Sequence, residues 1–242
     1  MPSVLDLIRL NEELRTPLGP AVVALNGRLV ERAALPLLFF AVKALKTHEA
    51  LLLLAQRGYG PDAGVLARSL LELAINAAWI SKDWPGRALF YLEHERVEVR
   101  KYQRLQAKGY GRDQVARQKA IETVAIEEQR KGRRKTISGE STYWTGKSLR
   151  KMATEVGLSH WYEVVYSVYS DMIHSAVVTA RDYVTLSKDG LASINLGPEP
   201  LHTAVALHVS YMGLLTASSA ANAVLDLGLD EHLSEAFRRA PA

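Results

Sequence analysis

The stretch YSVYSDMIHSAV, residues 166–177, carries polar side chains whose types suit proton transfer. Tyr166, Ser170 and His174 follow one another at intervals of four residues, so on a helix they share one face, with Asp171 beside it. A histidine among hydroxyl groups can act as a general acid or base, because imidazole exchanges its proton near neutral pH. The alternative is that these residues form the satisfied polar seam of a helical core, and the spacing leaves both interpretations open.

A second set of polar residues interrupts the apolar segment GPDAGVLARSLLELAINAAWISKD, residues 60–83. Arg68, Glu72 and Asn76 recur every four residues, and burying an arginine or a glutamate is costly unless the charge is paired. One interpretation is that Arg68 and Glu72 pair with each other and fix the position of a core helix. The other is that they form a preorganised charged pair facing a pocket.

A third polar stripe lies on the segment 201–225, which contains no Asp, Glu, Lys or Arg. Its members are His208, Tyr211, Ser218 or Ser219, and Asn222. The segment is long enough to span a membrane. Because histidine, serine, threonine and asparagine are spread along it, we expect a buried central helix instead, and no membrane association.

The net charge of +4 is unevenly distributed along the 242 residues. Between residues 96 and 135 there are 13 Lys and Arg against 5 Asp and Glu, a local charge of +8. Such segregation can attract a polyanion, although a pair of solvated helices would have the same composition. The predicted nucleic-acid-binding residues are Arg130, Lys131, Arg133, Arg134, Lys135, Lys147 and Arg150.

The chain contains no cysteine, which excludes disulfides, thiolate catalysis and cysteine-ligated zinc. This composition is compatible with a reducing cytoplasm, where we expect the protein to be located. The sequence has no HExxH motif, no pair of Glu-x-x-His motifs, no P-loop and no GxSxG motif. We therefore expect neither a metal ion nor a cofactor.

Helical periodicity dominates the chain and predicts an all-α fold, a single-domain multi-helix bundle. A turn at residues 188–190 predicts one short hairpin or loop near 183–196. We expect an N-terminal helix over 1–19, the bundle domain over 20–228, and a C-terminal helix and tail over 229–242. The predicted helices cover residues 3–16, 20–33, 37–57, 61–82, 85–107, 112–131, 145–156, 159–186, 200–226 and 229–238.

Three segments in order resemble the domain of unknown function 5677 family. They are GYGPDAGVLARSLLELAINAAWISKD at 58–83, YWTGKSLRKMA at 143–153 and YSVYSDMIHSA at 166–176. Order and approximate spacing agree with the family over roughly residues 30–225. The resemblance implies a helical, mostly bacterial protein, and it implies no particular activity because the family is largely uncharacterised.

A more distant resemblance is to HEPN domains, helical and often dimeric proteins, many of which are metal-independent ribonucleases of toxin or defence systems. Their signature is an arginine, often followed by a polar residue, with a histidine four to six residues after the arginine. Asp171 and His174 are similar to its polar residue and histidine, while Ser170 occupies the position of its arginine. In this interpretation Arg68 would replace that arginine from another helix.

The HEPN resemblance implies an RNA-directed homodimer with a composite catalytic site. Arg68 would hold the phosphate, Glu72 would orient Arg68, and His174 would move the proton. Tyr166 or Ser170 would orient His174. The alternative is a non-catalytic helical binding or interaction module in which the buried polar residues are structural, so the sequence leaves open whether the protein is an enzyme.

Overall fold

The structure, a computed structural model, describes residues 2–107, 144–173, 179–180 and 183–241, and it confirms the predicted all-α fold. Helices account for most of the described chain, and the strands form a two-stranded sheet. The α-helices are α1 (Val4–Val23), α2 (Leu35–Gln56), α3 (Gly60–Ser81), α4 (Gly86–Ala107), α5 (Leu149–Glu155), α6 (Ser159–Trp161), α7 (Ser167–Ile173), α8 (Thr203–Leu225) and α9 (Asp230–Arg238). A 3-10 helix covers Arg32–Ala34, a π-helix covers Tyr162–Tyr166, and the strands are β1 (Val184–Leu186) and β2 (Ala192–Ile194).

The chain divides into two compact units. The first comprises Met1–Ala88 and Leu149–Ala242, and the second comprises Leu89–Ser148. Both terminal helices, α1 and α9, belong to the first unit. Among the predicted site residues that the structure describes, Lys147 belongs to the second unit and the others belong to the first.

The helices α3 and α8 form the centre of the first unit, and α1 and α2 pack around them. Each central helix is apolar almost all round, which is the pattern of a helix that contacts neighbours on every side. Gly213 of α8 lets the two approach closely, because a Cβ there would lie 3.0 Å from Cγ of Leu70. In the described part of the chain these two helices are long and apolar enough to cross a membrane, and 67% of the apolar window of each is buried inside the protein.

The first two helix predictions were wrong in their bounds. Instead of ending at residue 16, α1 continues through Pro17 and Pro20 to Val23, and turns and loop follow where a second helix was predicted. An internal proline removes a helical hydrogen bond and disturbs the preceding turn. The burial of Leu14 and Leu18 offsets that cost.

The predicted helix over residues 159–186 was also wrong at its end. The described helical stretch ends at Ile173, and residues 184–186 are a strand. This strand, β1, pairs antiparallel with β2, with Val184 opposite Ile194, so the hairpin predicted near 183–196 is confirmed. Gly190 supplies the positive φ of 78° that the turn requires. The predicted helix over 112–131 lies outside the described residues.

Candidate anion-binding site around Arg68

Arg68 on α3 and Tyr166 at the end of the π-helix form the central contact of the site. The guanidinium carbon of Arg68 lies 4.1 Å from the centroid of the Tyr166 ring, which is a close cation–π contact. Arg68 is half-buried, and its Nε atom is buried without a hydrogen-bond partner among the described residues. The ring therefore fixes the plane of the guanidinium, which takes part in no hydrogen bond or ion pair between described residues.

Tyr162 adds a second aromatic ring. The rings of Tyr162 and Tyr166 stack at 4.6 Å between centroids and an angle of 20°. These two residues begin and end the π-helix, a conformation that is rare in proteins and frequent at functional sites. The sequence analysis missed Tyr162, although it precedes Tyr166 by four residues and extends the predicted stripe by one step. Arg68, Tyr162 and Tyr166 are called the Arg–Tyr cluster below.

The pKa of the Tyr162 hydroxyl reports the charges around the cluster. Burial raises this pKa, as does the neighbouring Tyr166, whereas the positive charges of Arg150 and Arg68 lower it and the charge of Glu72 raises it. The net direction is upward, so Tyr162 stays protonated at neutral pH. Its hydroxyl is available to donate a hydrogen bond, but it is a poor candidate for a general base.

Arg150 lies on α5 and pairs with Glu163 of the π-helix, with 2.7 Å between Nη2 and Oε1. The side chains are 68% and 58% exposed, and an ion pair in that setting adds little to stability. Because Arg150 also influences Tyr162, it provides a second cation near the Arg–Tyr cluster. Arg150 is thus the one predicted nucleic-acid-binding residue that the structure brings to this cluster among those it describes.

Arg68 and Glu72 are not paired, so the predicted ion pair between them was wrong. No ion pair within 4.0 Å joins the two residues, both of which are described. The physical reason is that the guanidinium turns towards the Tyr166 ring, which an analysis of spacing within one helix does not reveal. Asn76, the third member of the stripe, is buried and donates a hydrogen bond of 2.7 Å to the carbonyl oxygen of Glu72.

The remaining predicted site residues are not brought to the Arg–Tyr cluster by any described contact. Ser170 is half-buried and Asp171 is exposed on α7. Lys147 belongs to the second unit, where its backbone N–H donates to Thr145 Oγ1 over 3.0 Å. His174 lies outside the described residues, and so do Arg130, Lys131, Arg133, Arg134 and Lys135.

Tyr169 anchors the helix that follows the π-helix. Its ring is fully buried, its hydroxyl donates to the carbonyl oxygen of His202 over 3.4 Å, and burial raises its pKa. A Cβ at Gly64 would lie 2.0 Å from Cε1 of Tyr169, so only glycine fits at that point of α3. This close approach of α7 to α3 places Tyr166 within reach of Arg68, one helical turn further along α3 than Gly64.

The residues of the third polar stripe form hydrogen bonds within α8 and between α8 and the segment that follows it, including α9. His208 Nδ1 lies 2.7 Å from the carbonyl oxygen of Ala204, and the Tyr211 hydroxyl donates to the carbonyl oxygen of Ala236 over 2.7 Å. Asn222 donates to Asp230 over 2.8 Å and accepts from a backbone N–H of the connecting turn. Each of these polar groups has a structural partner, and they do not meet the Arg–Tyr cluster in any described contact.

A cleft of about 360 Å³ between α1, α8 and α9 is separate from the Arg–Tyr cluster. Its polar groups are engaged with one another: Arg239 pairs with Glu13 at 2.5 Å, and His232 Nε2 lies 3.0 Å from the carbonyl oxygen of Leu14. Within the described residues, no group of three or more His, Asp or Glu side chains is arranged to hold a metal ion. The Arg–Tyr cluster therefore remains the candidate site, because it places a guanidinium beside two aromatic rings.

The model of a family of unknown function, DUF5677, matches residues 34–191. The chain belongs to this family. The matched range includes the Arg–Tyr cluster and β1 of the hairpin. No curated protein and no solved structure matched this DUF5677 protein. These comparisons do not support the resemblance to HEPN domains, which stays a hypothesis.

Proposed function

We propose that this DUF5677 protein binds single-stranded RNA and that the Arg–Tyr cluster holds one of its phosphate groups. The observation that carries the proposal is the guanidinium of Arg68, which rests on Tyr166 and makes no ion pair with a carboxylate among the described residues. A guanidinium already neutralised by a carboxylate attracts phosphate weakly. The planar donor edge of a guanidinium matches the geometry of phosphate oxygens.

The aromatic rings favour RNA over an anion without bases. Tyrosine rings are surfaces on which unpaired bases stack, and stacking of this kind tolerates any base sequence. Arg150 would add a second phosphate contact, since a phosphate can replace Glu163 in an exposed ion pair at little cost. The basic segment between residues 96 and 135 would add electrostatic attraction that does not depend on the base sequence of the RNA.

A more specific form of the proposal is metal-independent RNA cleavage of the HEPN type. The 2′-oxygen would form a bond to phosphorus while the bond from phosphorus to the 5′-oxygen breaks. His174, oriented by Tyr166 or Ser170, would accept the proton of the 2′-hydroxyl or donate one to the leaving 5′-oxygen, and water would carry out the other of these two proton transfers. Arg68 would stabilise the negative charge that develops on the phosphoryl oxygens.

The second candidate is RNA binding without cleavage. One observation favours it: the pKa of Tyr162 is raised, mainly by burial, so the cluster's own hydroxyl does not become a base at neutral pH. The described contact of the Arg68 guanidinium is an aromatic ring, which orients a cation and transfers no proton. In this candidate the Arg–Tyr cluster is a binding surface.

Fluorescence anisotropy with a labelled single-stranded RNA of mixed sequence tests the binding step. Replacing Arg68→Ala should weaken binding about tenfold or more, because a hydrogen bond to a charged group contributes about 1.5–3 kcal/mol. Arg28→Ala is the matched control, since Arg28 is an exposed arginine in the loop after α1 and should contribute little. Wild-type protein that binds no RNA even at low salt would remove both candidate functions.

Cleavage of the same RNA in the presence of EDTA separates the two candidates. If the protein is a ribonuclease, wild type cleaves, and both Arg68→Ala and His174→Ala lose cleavage while staying folded. If wild type binds RNA but none of the proteins cleaves it, the non-catalytic module is the correct account. EDTA removes contaminating nucleases that need a metal ion.

Charge reversal of the five predicted basic residues tests the contribution of the basic segment. The changes are made together at Arg130, Lys131, Arg133, Arg134 and Lys135. We expect weaker RNA binding and a flatter dependence of affinity on salt, because fewer counterions are released when fewer phosphates are contacted. The melting temperature should change little, since the sequence predicts a solvated segment there.

A further inference from the structure

We propose that the β-hairpin is the docking surface for a second copy of this chain, with the apolar faces of the two hairpins packed against each other. The register of the hairpin defines this face. Val184 is opposite Ile194 and Leu186 is opposite Ala192, and directly opposed residues of an antiparallel pair point to the same side. All four side chains are apolar. Thr185 and its partner Ser193 point to the other side.

The apolar face of the hairpin is exposed in this structure. Val184, Leu186 and Ile194 are 46%, 71% and 67% exposed, and Leu196, which continues the alternation after β2, is 91% exposed. Alternation of apolar and polar residues is typical of strands with one buried face. The sequence of the hairpin therefore has the pattern of a covered surface, and no described part of the chain buries it.

The root of the hairpin is held firmly against the helical core. The N–H of Gly60, at the start of α3, donates to the carbonyl oxygen of Glu199 over 2.9 Å, and Tyr59 and Glu199 form a parallel bridge. A Cβ at Gly60 would lie 1.9 Å from the carbonyl oxygen of Leu201, so the segment after β2 fits closely over α3. An isolated two-stranded hairpin is marginally stable in water. Because the segment that follows β2 is fixed on α3 while the apolar face of the hairpin is uncovered, the hairpin is suited to docking by a partner.

The charges around the hairpin favour a second copy over a lipid surface. The apolar face contains no charged residue, and the neighbouring charges alternate in sign, with Arg181 before Asp182 and Lys188 before Asp189. Membrane-surface segments usually carry an excess of Lys and Arg, which is absent from residues 181–199. A two-fold pairing of identical apolar faces buries no unpaired charge and closes on itself.

The area of the face suits a small dimer interface. Apolar side chains of this size at these exposures cover roughly 500 Å² per copy, so two copies would bury about 1,000 Å², the lower limit for a specific interface. Contacts at the rim would add to this area. The inference is independent of the proposed RNA binding, because the hairpin face does not include the Arg–Tyr cluster.

Analytical ultracentrifugation of the full chain tests the proposal with variants on the two sides of one hairpin. We expect wild type to be a dimer, and Leu186→Lys combined with Ile194→Lys to be a monomer. The matched control, Thr185→Lys combined with Ser193→Lys, places the same charges on the polar side and should remain a dimer. A monomeric wild type, or dimers of equal strength for both double variants, would overturn the proposal.

A cross-linking experiment keeps the test valid if the lysine variants fold poorly. Because the chain has no cysteine, a single introduced cysteine is a unique label. Ala192→Cys, on the apolar face, should form a covalent dimer with a short bismaleimide, whereas Ser193→Cys should not. Equal cross-linking at both positions would contradict face-to-face pairing.

Vesicles of neutral phosphatidylcholine distinguish a lipid occupant from a second copy. If wild type is monomeric and sediments with the vesicles, and the Leu186→Lys and Ile194→Lys double variant does not, the face binds lipid and the dimer proposal is wrong. In the dimer account, wild type stays in the supernatant. The double variant should also bind RNA as wild type does, which separates a failure of this inference from a failure of the proposed function.

Discussion

Two polar sites on apolar helices differ in their access to solvent. Asn11 of α1 and His48 of α2 are both completely buried, and Nε2 of His48 lies 3.0 Å from Oδ1 of Asn11. The amide nitrogen of Asn11 donates to the carbonyl oxygens of Leu7 at 2.8 Å and Leu207 at 3.2 Å. Asn11 and His48, called the sealed pair below, thus join α1, α2 and α8. The Arg–Tyr cluster, in contrast, is half-buried and leaves Arg68 donors unused by the described residues.

The two sites also differ in charge. Burial, with a smaller effect from the positive charge of Arg15, lowers the pKa of His48 to about 3, so the imidazole is neutral in the folded protein. Arginine stays charged at any physiological pH. The difference indicates that polar residues in this bundle have two separate roles. Asn11 and His48 hold helices together, whereas Arg68 is the residue for which we propose a phosphate contact.

The largest expected effect on stability is that of Asn11→Ala. The change leaves the buried N–H of His48 without its acceptor, which costs about 1–3 kcal/mol. It also removes the hydrogen bond from the Asn11 amide to the carbonyl oxygen of Leu207, which contributes about 0.5–1.5 kcal/mol. We expect the free energy of unfolding, measured by urea denaturation, to fall by about 2–4 kcal/mol. The exposed control Asn26→Ala should change it by less than about 0.5 kcal/mol. Equal stability of Asn11→Ala and wild type would contradict the sealed-pair account.

The second-largest expected effect is a loss of protein stability at acidic pH, caused by protonation of His48 in the unfolded state. The pKa of His48 is about 3 in the folded protein and about 6.5 in an unfolded chain, so the unfolded state takes up the proton first as pH falls. The stability that the neutral imidazole contributes is complete above about pH 6.5 and is lost as pH falls towards 3. Between pH 7 and pH 4.5 we expect the free energy of unfolding to fall by about 2–3 kcal/mol for this reason.

Urea denaturation at pH 7 and pH 4.5 measures this loss, and His48→Gln serves as the comparison. Glutamine keeps a donor for Asn11 but does not titrate, so the variant should lose less stability over the same range. Carboxylates contribute equally to both proteins and cancel in the difference. Identical pH dependence in wild type and His48→Gln would show that His48 is not sealed.

A smaller effect is expected at the Arg–Tyr cluster. A double-mutant cycle between Arg68 and Tyr166 should give a coupling energy of about 1 kcal/mol, which is the size of a partly buried cation–π contact. The cycle between Arg68 and Glu72 should give a coupling near zero, since the structure contains no ion pair between them. Melting experiments on the single and double variants provide both values. A larger coupling with Glu72 than with Tyr166 would reverse this assignment.

The smallest effect is expected at the exposed pair of Arg150 and Glu163. Glu163→Gln removes the negative charge, and we expect a change in stability of at most about 1 kcal/mol. RNA affinity, measured by anisotropy, should rise slightly because Arg150 no longer has a competing carboxylate. Unchanged affinity at low salt would show that Arg150 does not contact the RNA.

The sequence predicted the all-α fold because apolar residues at helical spacing dominate the chain, and it predicted the hairpin because a Lys-Asp-Gly turn separates two alternating segments. It could not reveal the contacts that decide the sites. Arg68 meets Tyr166 across 98 positions of the chain, and Asn11 meets His48 across 37. Spacing analysis finds partners within one helix, so it offered Glu72 as the partner of Arg68. Helix packing decides whether the guanidinium of Arg68 turns towards Glu72 or towards Tyr166. Here the space left by Gly64 lets α7 approach α3 and brings Tyr166 within reach of Arg68.

Nuclear magnetic resonance of the Arg68 Nε–H group, with short single-stranded RNA added, tests the central claim most directly. The signal is assigned by its loss in Arg68→Lys, and the side-chain amide signals of Asn11 serve as the internal control. The account predicts that the Arg68 signal shifts along the same saturation curve as anisotropy while the Asn11 signals stay in place. An Arg68 signal that does not move while RNA binds would contradict it.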